Sequence, residues 1–516
     1  MADRPTLYER FAASADTHGD RTALETGGRT LTYTELRSLA EHNAARLLAA
    51  LDGRRPARVG ILAGRGVAAY ASYLAAQRLG ATVVPLNPDS APDRVAAVLA
   101  AARPDAVLTD RNTALTCPVV AFEEPADGSF DRPPKDVCAP DPDAIAYIVF
   151  TSGSTGTPKG VPVRQRNAAA MLDYAIDRYD IGPDSRVSQT FDLTFDPTAW
   201  DLFTAWGAGA ALVVPARGEL ARPASFIARA RITHWFSVPS LISYALRLRD
   251  LAPGSMPGLQ WSLFGGEQLT LEQAAAWREA APGSVLENLY GPTEVTVSCT
   301  QFRLPAEPAD WPATANGTVP IGTPYPHLDF LVLGEDGRPA DEGELCLRGP
   351  QRFPGYLDPG ENPGRFVRFD GREASVYEDR EAPGEELYYR TGDRVRVGAG
   401  GALLHLGRLD HQVKVAGHRV ELGEIEAALR AAEGVAEAVV TVLKAAPGAE
   451  PTLEAAYTGT PRDPLALRAE LSGRLPAYML PRAFTHFETF PLNANRKIDR
   501  LAVTARLAEP HPDTAW

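Results

Sequence analysis

Between residues 31 and 214, short apolar runs alternate with segments whose apolar positions recur at helical spacing. No other feature limits the fold as strongly. "RVGILAG" and "ATVVPLNP" read as buried strands, and "AAYASYLAAQRLG" between them reads as a helix with Gly80 at its C-terminal end. "YTELRSLAEHNAARLLAAL" gives a further helix, and "DAVLTD" and "AIAYIVFTS" continue the strand series. Strand, helix, strand at this spacing predicts a parallel sheet covered by helices.

After about residue 320 the rhythm changes. "LDFLVLGEDGRPADEGELCLRG" predicts two strands around Gly and Pro turns, and "RVRVGAGGALLHLGR" predicts a hairpin turning at residues 398–401. The last hundred residues read as hairpin "QVKVAGHRVEL", helix "GEIEAALRAAEG", strand "AVVTVL" and helix "DPLALRAELSGRL", with Asp463 as N-cap and Pro464 at the first helical position. That tail predicts a small α+β unit, so a domain boundary is placed near Asp410, giving domains 1–409 and 410–516; "AEPHPDTAW" reads as disordered. A chain of 516 residues is in any case too long for one ordinary core.

A net charge of −13 without a basic block argues against a general nucleic-acid binder. Cys117, Cys138, Cys299 and Cys346 are too scattered for a metal pair or a disulfide framework, which suits a reducing compartment. The first twenty residues lack an apolar core of the signal-peptide kind, and no apolar run approaches a membrane span. The expected location is the cytoplasm.

The run at residues 145–150 leads directly into "TSGSTGTPKG" at residues 151–160. A Walker A loop requires G-x-x-x-x-G-K-[ST]. Counted from Gly153, the sixth position is Pro158, and the residue after Lys159 is Gly160, so the Mg²⁺-binding hydroxyl is missing. The hydroxyls of Thr151, Ser152, Ser154 and Thr155, the backbone N–H groups around Gly153 and Gly156, and the charge of Lys159 still suit phosphates.

With this loop, the sequence resembles the adenylate-forming enzymes: acyl-CoA ligases, luciferases and the adenylation domains of nonribosomal peptide synthetases. "LTYTELRSLA" and "QRLGATVVPLNP" precede the loop in the family's order; "FDLTFDPTAWDLF", "NLYGPTEVTVSCT", "GELCLRG", "YRTGDRVR", "GRLDHQVKVAGHRVELGEIE", "LPAYMLP" and "NANRKIDR" follow it. Within that family it is most similar to the amino-acid-activating adenylation domains. The resemblance implies an α/β fold. A large N-terminal domain of mixed and parallel sheets covered by helices, with a β-barrel-like part, would carry a small C-terminal α+β domain on a hinge.

It also implies a reaction: a carboxylate joins the α-phosphate of ATP, pyrophosphate leaves, and a thiol takes the acyl group. By motif position, residues 151–159 would hold the β- and γ-phosphates. Glu294 would ligate Mg²⁺, Thr293 would contact the α-phosphate, and Tyr290 would face adenine, with Asn288, Leu289 and Gly291 around it. Asp393 would accept from the ribose hydroxyls beside Arg408. Lys497 would reach the substrate carboxylate; Arg496 before it departs from the family's glycine. The hinge would be Asp410, swinging Lys414 and Gly417 toward the thiol acceptor, although "VAG" stands where arginine more often precedes that glycine.

Asp196 occupies the position where amino-acid-activating members keep an aspartate for the α-ammonium, which an ordinary acyl chain would leave unsatisfied. The other lining positions by resemblance are Pro197, Trp200, Phe236, Leu263, Gly265, Leu289, Val297 and Ser298. They form an apolar, narrow set in which a polar side chain would lose roughly 1–3 kcal/mol. Leucine, alanine or valine fit best, and Ser298 leaves serine or proline open. No "GxDS" or "HHxxxDG" segment occurs, so the expected acceptor is a separate phosphopantetheinylated carrier protein, and a small helper protein is a further partner to consider. The competing readings are an acyl-CoA ligase, an amide ligase and a catalytically silent binding protein of the same fold.

Overall fold

The protein, a computed structural model, is described at residues 4–126, 130–133, 141–151, 158–216, 218–409, 412–415, 417–443, 452–491 and 498–508. Residues 509–516, nearly all of the tail expected to be disordered, lie outside this range. Contacts divide the chain into two compact units. One comprises Met1–Pro88, Ala101–Phe150 and Gly160–Leu409; the other comprises Asp89–Ala100, Thr151–Lys159 and Asp410–Trp516.

In the first unit, Arg58–Leu62 pairs in parallel with Thr82–Leu86 and with Ala106–Thr109, and Thr82–Leu86 pairs in parallel with Ile145–Thr151. Thr82–Leu86 and Ala106–Thr109 are buried at every residue, which is why they read as unbroken apolar runs and not as alternations. The crossover helix Val67–Arg78 ends ahead of Gly80, whose φ of 65° closes the turn back into the sheet.

A second, nine-stranded sheet continues the parallel pattern past residue 214. Arg186–Ser188, Ala211–Val213, His234–Ser237, Trp261–Phe264 and Val285–Tyr290 all run parallel, and Thr300–Arg303 returns antiparallel beside the last of them. The third sheet is antiparallel and built from strands between Asp329 and Arg408. Both hairpins read there from the sequence form: Asp329–Leu333 with Glu342–Arg348, and Tyr388–Val397 with Leu403–Arg408.

The second unit has its own core, including Ile425, Leu429, Val440, Tyr457, Leu467 and Met479. Gln412–Val415 and His418–Glu421 form its hairpin, turning at Gly417 with φ 80°. Asp463 caps helix Pro464–Ser472 by accepting from Leu465 N at 3.1 Å. Among the described residues no helix is long and apolar enough to cross a membrane.

Candidate functional site

The C-terminal edge of strand Val285–Tyr290 organises the site in the first unit. Alternation along the strand sends Leu289 to the core that contains Trp200, Phe236 and Leu263, and sends Tyr290 to the core beneath the antiparallel sheet. Asn288, on the Tyr290 face, donates its amide to Pro320 O at 2.9 Å and Val319 O at 3.3 Å. Beyond the strand, a Cβ at Gly291 would lie 2.5 Å from Val297 O, so only glycine lets the chain fold back so tightly.

Tyr290 donates its hydroxyl to Asp393 Oδ2 at 2.6 Å; burial, reinforced by Asp393, pushes its phenol well above the ordinary range. Asp393 Oδ1 accepts from Arg408 Nη1 and from His405 Nε2, both at 3.0 Å. Arg408 stands directly across the hairpin from Asp393. His405 reaches the same carboxylate because the pairing shifts by one residue between Gly407 and His405, which turns it to the Asp393 face. Its Nδ1 faces the amide nitrogen of Gln268 at 3.1 Å, so Nδ1 accepts and Nε2–H donates to Asp393. Three donors therefore hold one buried carboxylate.

Thr293 and Glu294 begin a single 3₁₀ turn, Thr293–Val295, and both are buried. Glu294 Oε1 accepts from Tyr356 OH at 2.6 Å, and its carbonyl accepts from Phe353 N at 2.8 Å. Among the described residues no group of three or more His, Cys, Asp or Glu could hold a metal by itself.

Asp196 precedes helix Pro197–Gly207, but its side chain makes no capping bond, and the residue is only 5% exposed. Its charge is felt at Tyr147: burial, then Tyr73 and Asp196, push that phenol well above the ordinary range. One turn along the helix, Asp201 is fully buried, which favours its uncharged form by raising its pKa well above the carboxylate range. Trp200 and Phe236 meet edge to face at 5.1 Å between ring centres. The neighbouring Trp235 and Ser237 face away and bond to each other at 2.9 Å, so Phe236 is the residue of that strand on the Trp200 side. A Cβ at Gly265 would press on Leu289 O at 3.0 Å and on the Phe236 ring at 3.3 Å. Leu263, Leu289, Val297, Trp200 and Phe236 all belong to one buried apolar cluster.

Two residues of that site carry backbone strain. Thr296 and Val297 have φ of 57° and 67°, left-handed values that β-branched side chains rarely adopt. Each costs roughly 1–3 kcal/mol unless the surroundings hold it.

Other sequence-predicted positions lie elsewhere. Thr151 and Lys159 are assigned to the second compact unit, although each is the end residue of a strand, Ile145–Thr151 and Lys159–Arg164, whose other residues belong to the first; Lys159 is buried. Lys414 and Gly417 sit on the hairpin of that unit. Ser152, Gly153, Ser154, Thr155, Gly156, Asp410 and Lys497 lie outside the described residues. Sequence reasoning missed His405, Tyr356, Gln351, His327 and Tyr325; the order of motifs drew no attention to them.

This architecture is that of an adenylation enzyme. Its antiparallel-flanked α/β core is shared with the Vibrio cholerae adenylation domain AlmE, solved in complex with glycyl-adenosine-5'-phosphate; the TM-score is 0.82 at 28% identity, covering 97% of each chain. Residues 11–357 match the AMP-binding enzyme family, and the chain belongs to it. It is 34% identical over 538 residues to an L-proline--[L-prolyl-carrier protein] ligase of Streptomyces coelicolor, covering 96% of each. It is 36% identical over 533 residues to the phosphinothricin tripeptide synthetase PhsC of Streptomyces viridochromogenes, covering 99% of this chain. The chain spans 46% of PhsC and as little as 6% of longer synthetases that it matches.

Proposed function

We propose that this enzyme activates a small or medium neutral L-amino acid and passes it to the phosphopantetheine thiol of a separate carrier protein. The observation that carries this reading is the buried, non-capping carboxylate of Asp196 at the start of the helix that carries Trp200, a residue of the same apolar cluster as Phe236, Leu263, Leu289 and Val297. A carboxylate in such a place suits the α-ammonium group of an amino acid and nothing on a fatty acid. The carboxylate oxygen of the amino acid attacks the α-phosphorus of ATP, the bond to the bridging oxygen breaks, and pyrophosphate leaves. The carrier thiolate then attacks the aminoacyl carbonyl, and AMP leaves.

In this reading Asp393, steadied by Tyr290, Arg408 and His405, accepts from the ribose hydroxyls, and Thr293 contacts the α-phosphate. The single buried carboxylate of Glu294 fits Mg²⁺, which commonly takes one or two protein carboxylates and completes its shell with phosphate oxygens and water. When bound, the ion supplies positive charge beside the phosphates. Lys497, the 151–159 loop and a hinge at Asp410 between domains 1–409 and 410–516 complete the assignment. The cytoplasm is the compartment proposed, consistent with the free cysteines Cys117, Cys299 and Cys346.

An acyl-CoA ligase would gain from a basic site for a phosphorylated adenosine. A cavity of about 310 Å³ does gather Arg164, Arg166, Arg348 and Arg352. Asp143 and Glu385 pair with Arg166, however, and Asp329 pairs with Arg348, while Arg352 donates to the carbonyls of Phe353, Pro383 and Gly384. With Glu386 also in the lining, four carboxylates, Asp143, Asp329, Glu385 and Glu386, stand against the four arginines.

His405→Leu removes one donor from Asp393, and the KM for ATP is expected to rise about 10-fold, the worth of one hydrogen bond to a charged group. The KM for the amino acid should not move; steady-state exchange kinetics with each substrate varied in turn checks this. The function itself is tested by exchange of labelled pyrophosphate into ATP across the proteinogenic amino acids and a set of fatty and aryl acids. A signal confined to one or a few neutral amino acids is expected. A signal only with non-amino acids would replace this reading with an acyl-CoA ligase.

A further inference from the structure

We infer that Gln351 is a positioning residue that fixes the amino-acid pocket wall at Val297 and Ser298; the inference rests on the pocket assigned above. The turn carrying those two residues holds Thr296 and Val297 in left-handed backbone, and it contains no glycine to make that conformation easy. Its support comes from 55 residues away. Gln351 is fully buried, and its Nε2 lies 3.1 Å from Val295 O, 3.3 Å from Thr296 O and 2.8 Å from Ser298 O. One amide group has two hydrogens, so one of them is shared between two of the three carbonyls. Thr296 returns the contact by donating Oγ1–H to Gln351 O at 2.6 Å.

The direction of the amide is itself determined. Gln351 Oε1 lies 2.6 Å from His327 Nε2. Burial lowers the pKa of His327, favouring a neutral ring whose Nε2–H donates to Gln351. The reverse orientation would set an oxygen against three carbonyl oxygens and leave two nitrogens facing each other at the histidine. Tyr325 completes the support by donating its hydroxyl to Ser298 Oγ at 2.8 Å. Every polar group of the turn backbone that Gln351 reaches is thereby engaged, and Val297 is held in the same apolar cluster as Trp200, Phe236 and Leu289.

Such a staple matters for selectivity. A methylene more or less in an apolar pocket is discriminated only when the wall cannot give way. Without the amide, the turn can relax toward ordinary backbone angles, and Val297 and Ser298 move with it.

The test compares Gln351→Leu, which keeps length and apolar bulk but removes both donors and the acceptor, with the unaltered protein in pyrophosphate exchange. The KM for the preferred amino acid should rise roughly 10- to 100-fold, and its advantage over the homologue one methylene larger should fall below about threefold. The KM for ATP should stay within about twofold, because Asp393 and its donors are not touched. His327→Leu should shift selectivity in the same direction by less, and should add little in the double variant. Unchanged amino-acid KM and selectivity in folded Gln351→Leu would overturn the inference, as would an equal rise in both KM values, which marks a merely structural residue. If Gln351→Leu does not fold, His327→Leu decides: a selectivity shift supports the staple and no shift overturns it. Asp196→Ala in the same assay separates the two levels. If it abolishes exchange while the Gln351 variant behaves as wild type, only the staple is wrong; if it has no effect, the pocket assignment itself fails.

Discussion

Asp196→Ala is expected to lower amino-acid-dependent pyrophosphate exchange by roughly 100- to 1,000-fold, the cost of leaving one partner of a buried charge pair alone. The loss should appear in the KM for the amino acid as well as in the rate, because the α-ammonium group would enter a partly dry pocket with nothing to receive it. The residue does not cap the helix it precedes, so its removal costs that helix no capping bond. Nor can Asp201 substitute, since burial favours its uncharged form. Exchange kinetics, with thermal unfolding as a control for fold, checks the prediction. An exchange rate within about threefold of wild type would contradict it.

Glu294→Gln should reduce adenylation by a comparable factor, about 100- to 1,000-fold, and raise the Mg²⁺ concentration needed for half-maximal rate. Glutamine preserves the size of the side chain and an oxygen acceptor for Tyr356, so the 3₁₀ turn and its link to Phe353 should persist. On the proposed assignment, what would be lost is the negative charge offered to a divalent ion. Tyr356→Phe keeps the ring but removes the hydroxyl that donates to Glu294 at 2.6 Å and lies 3.3 Å from Tyr389 OH, and it should cost about fivefold. A Mg²⁺ titration of the exchange rate for both variants distinguishes metal binding from simple positioning. If Glu294→Gln retained wild-type rate and Mg²⁺ dependence, the metal assignment would be wrong.

The contrast between what the chain announces and what it conceals follows from the range of the interactions. Strands such as Thr82–Leu86 are buried on both faces, so their composition alone reveals them. Val187, Ser188 and the strand His234–Ser237 are just as deeply placed, yet their strands are short and carry Ser188 and His234, whose polar atoms are satisfied internally; His234 Nε2, for example, meets Tyr179 O at 2.8 Å. The parallel sheet was therefore read only as far as residue 214. At the site, Asp196, Glu294, Asp393 and Arg408 stand in contiguous motifs and could be picked out by resemblance. His405 could not, because counting by twos from Arg408 puts Leu406 on the Asp393 face, and the one-residue shift in pairing reverses that order. Gln351 was hidden by distance: its partners lie 53 to 56 residues earlier, and no periodicity joins them. The strain at Thr296 and Val297 has no sequence signal, since glycine or asparagine would normally mark such a turn.

The central claim is that Asp196 reads the α-ammonium group of an amino acid. The most direct measurement gives the enzyme its best amino acid and the same acid without the amino group, and compares pyrophosphate exchange for wild type and Asp196→Ala. The account predicts that wild type prefers the amino acid by at least about 100-fold and that Asp196→Ala brings the two substrates within about tenfold of each other. Equal use of both acids by wild type, or an unchanged preference in the variant, would contradict it.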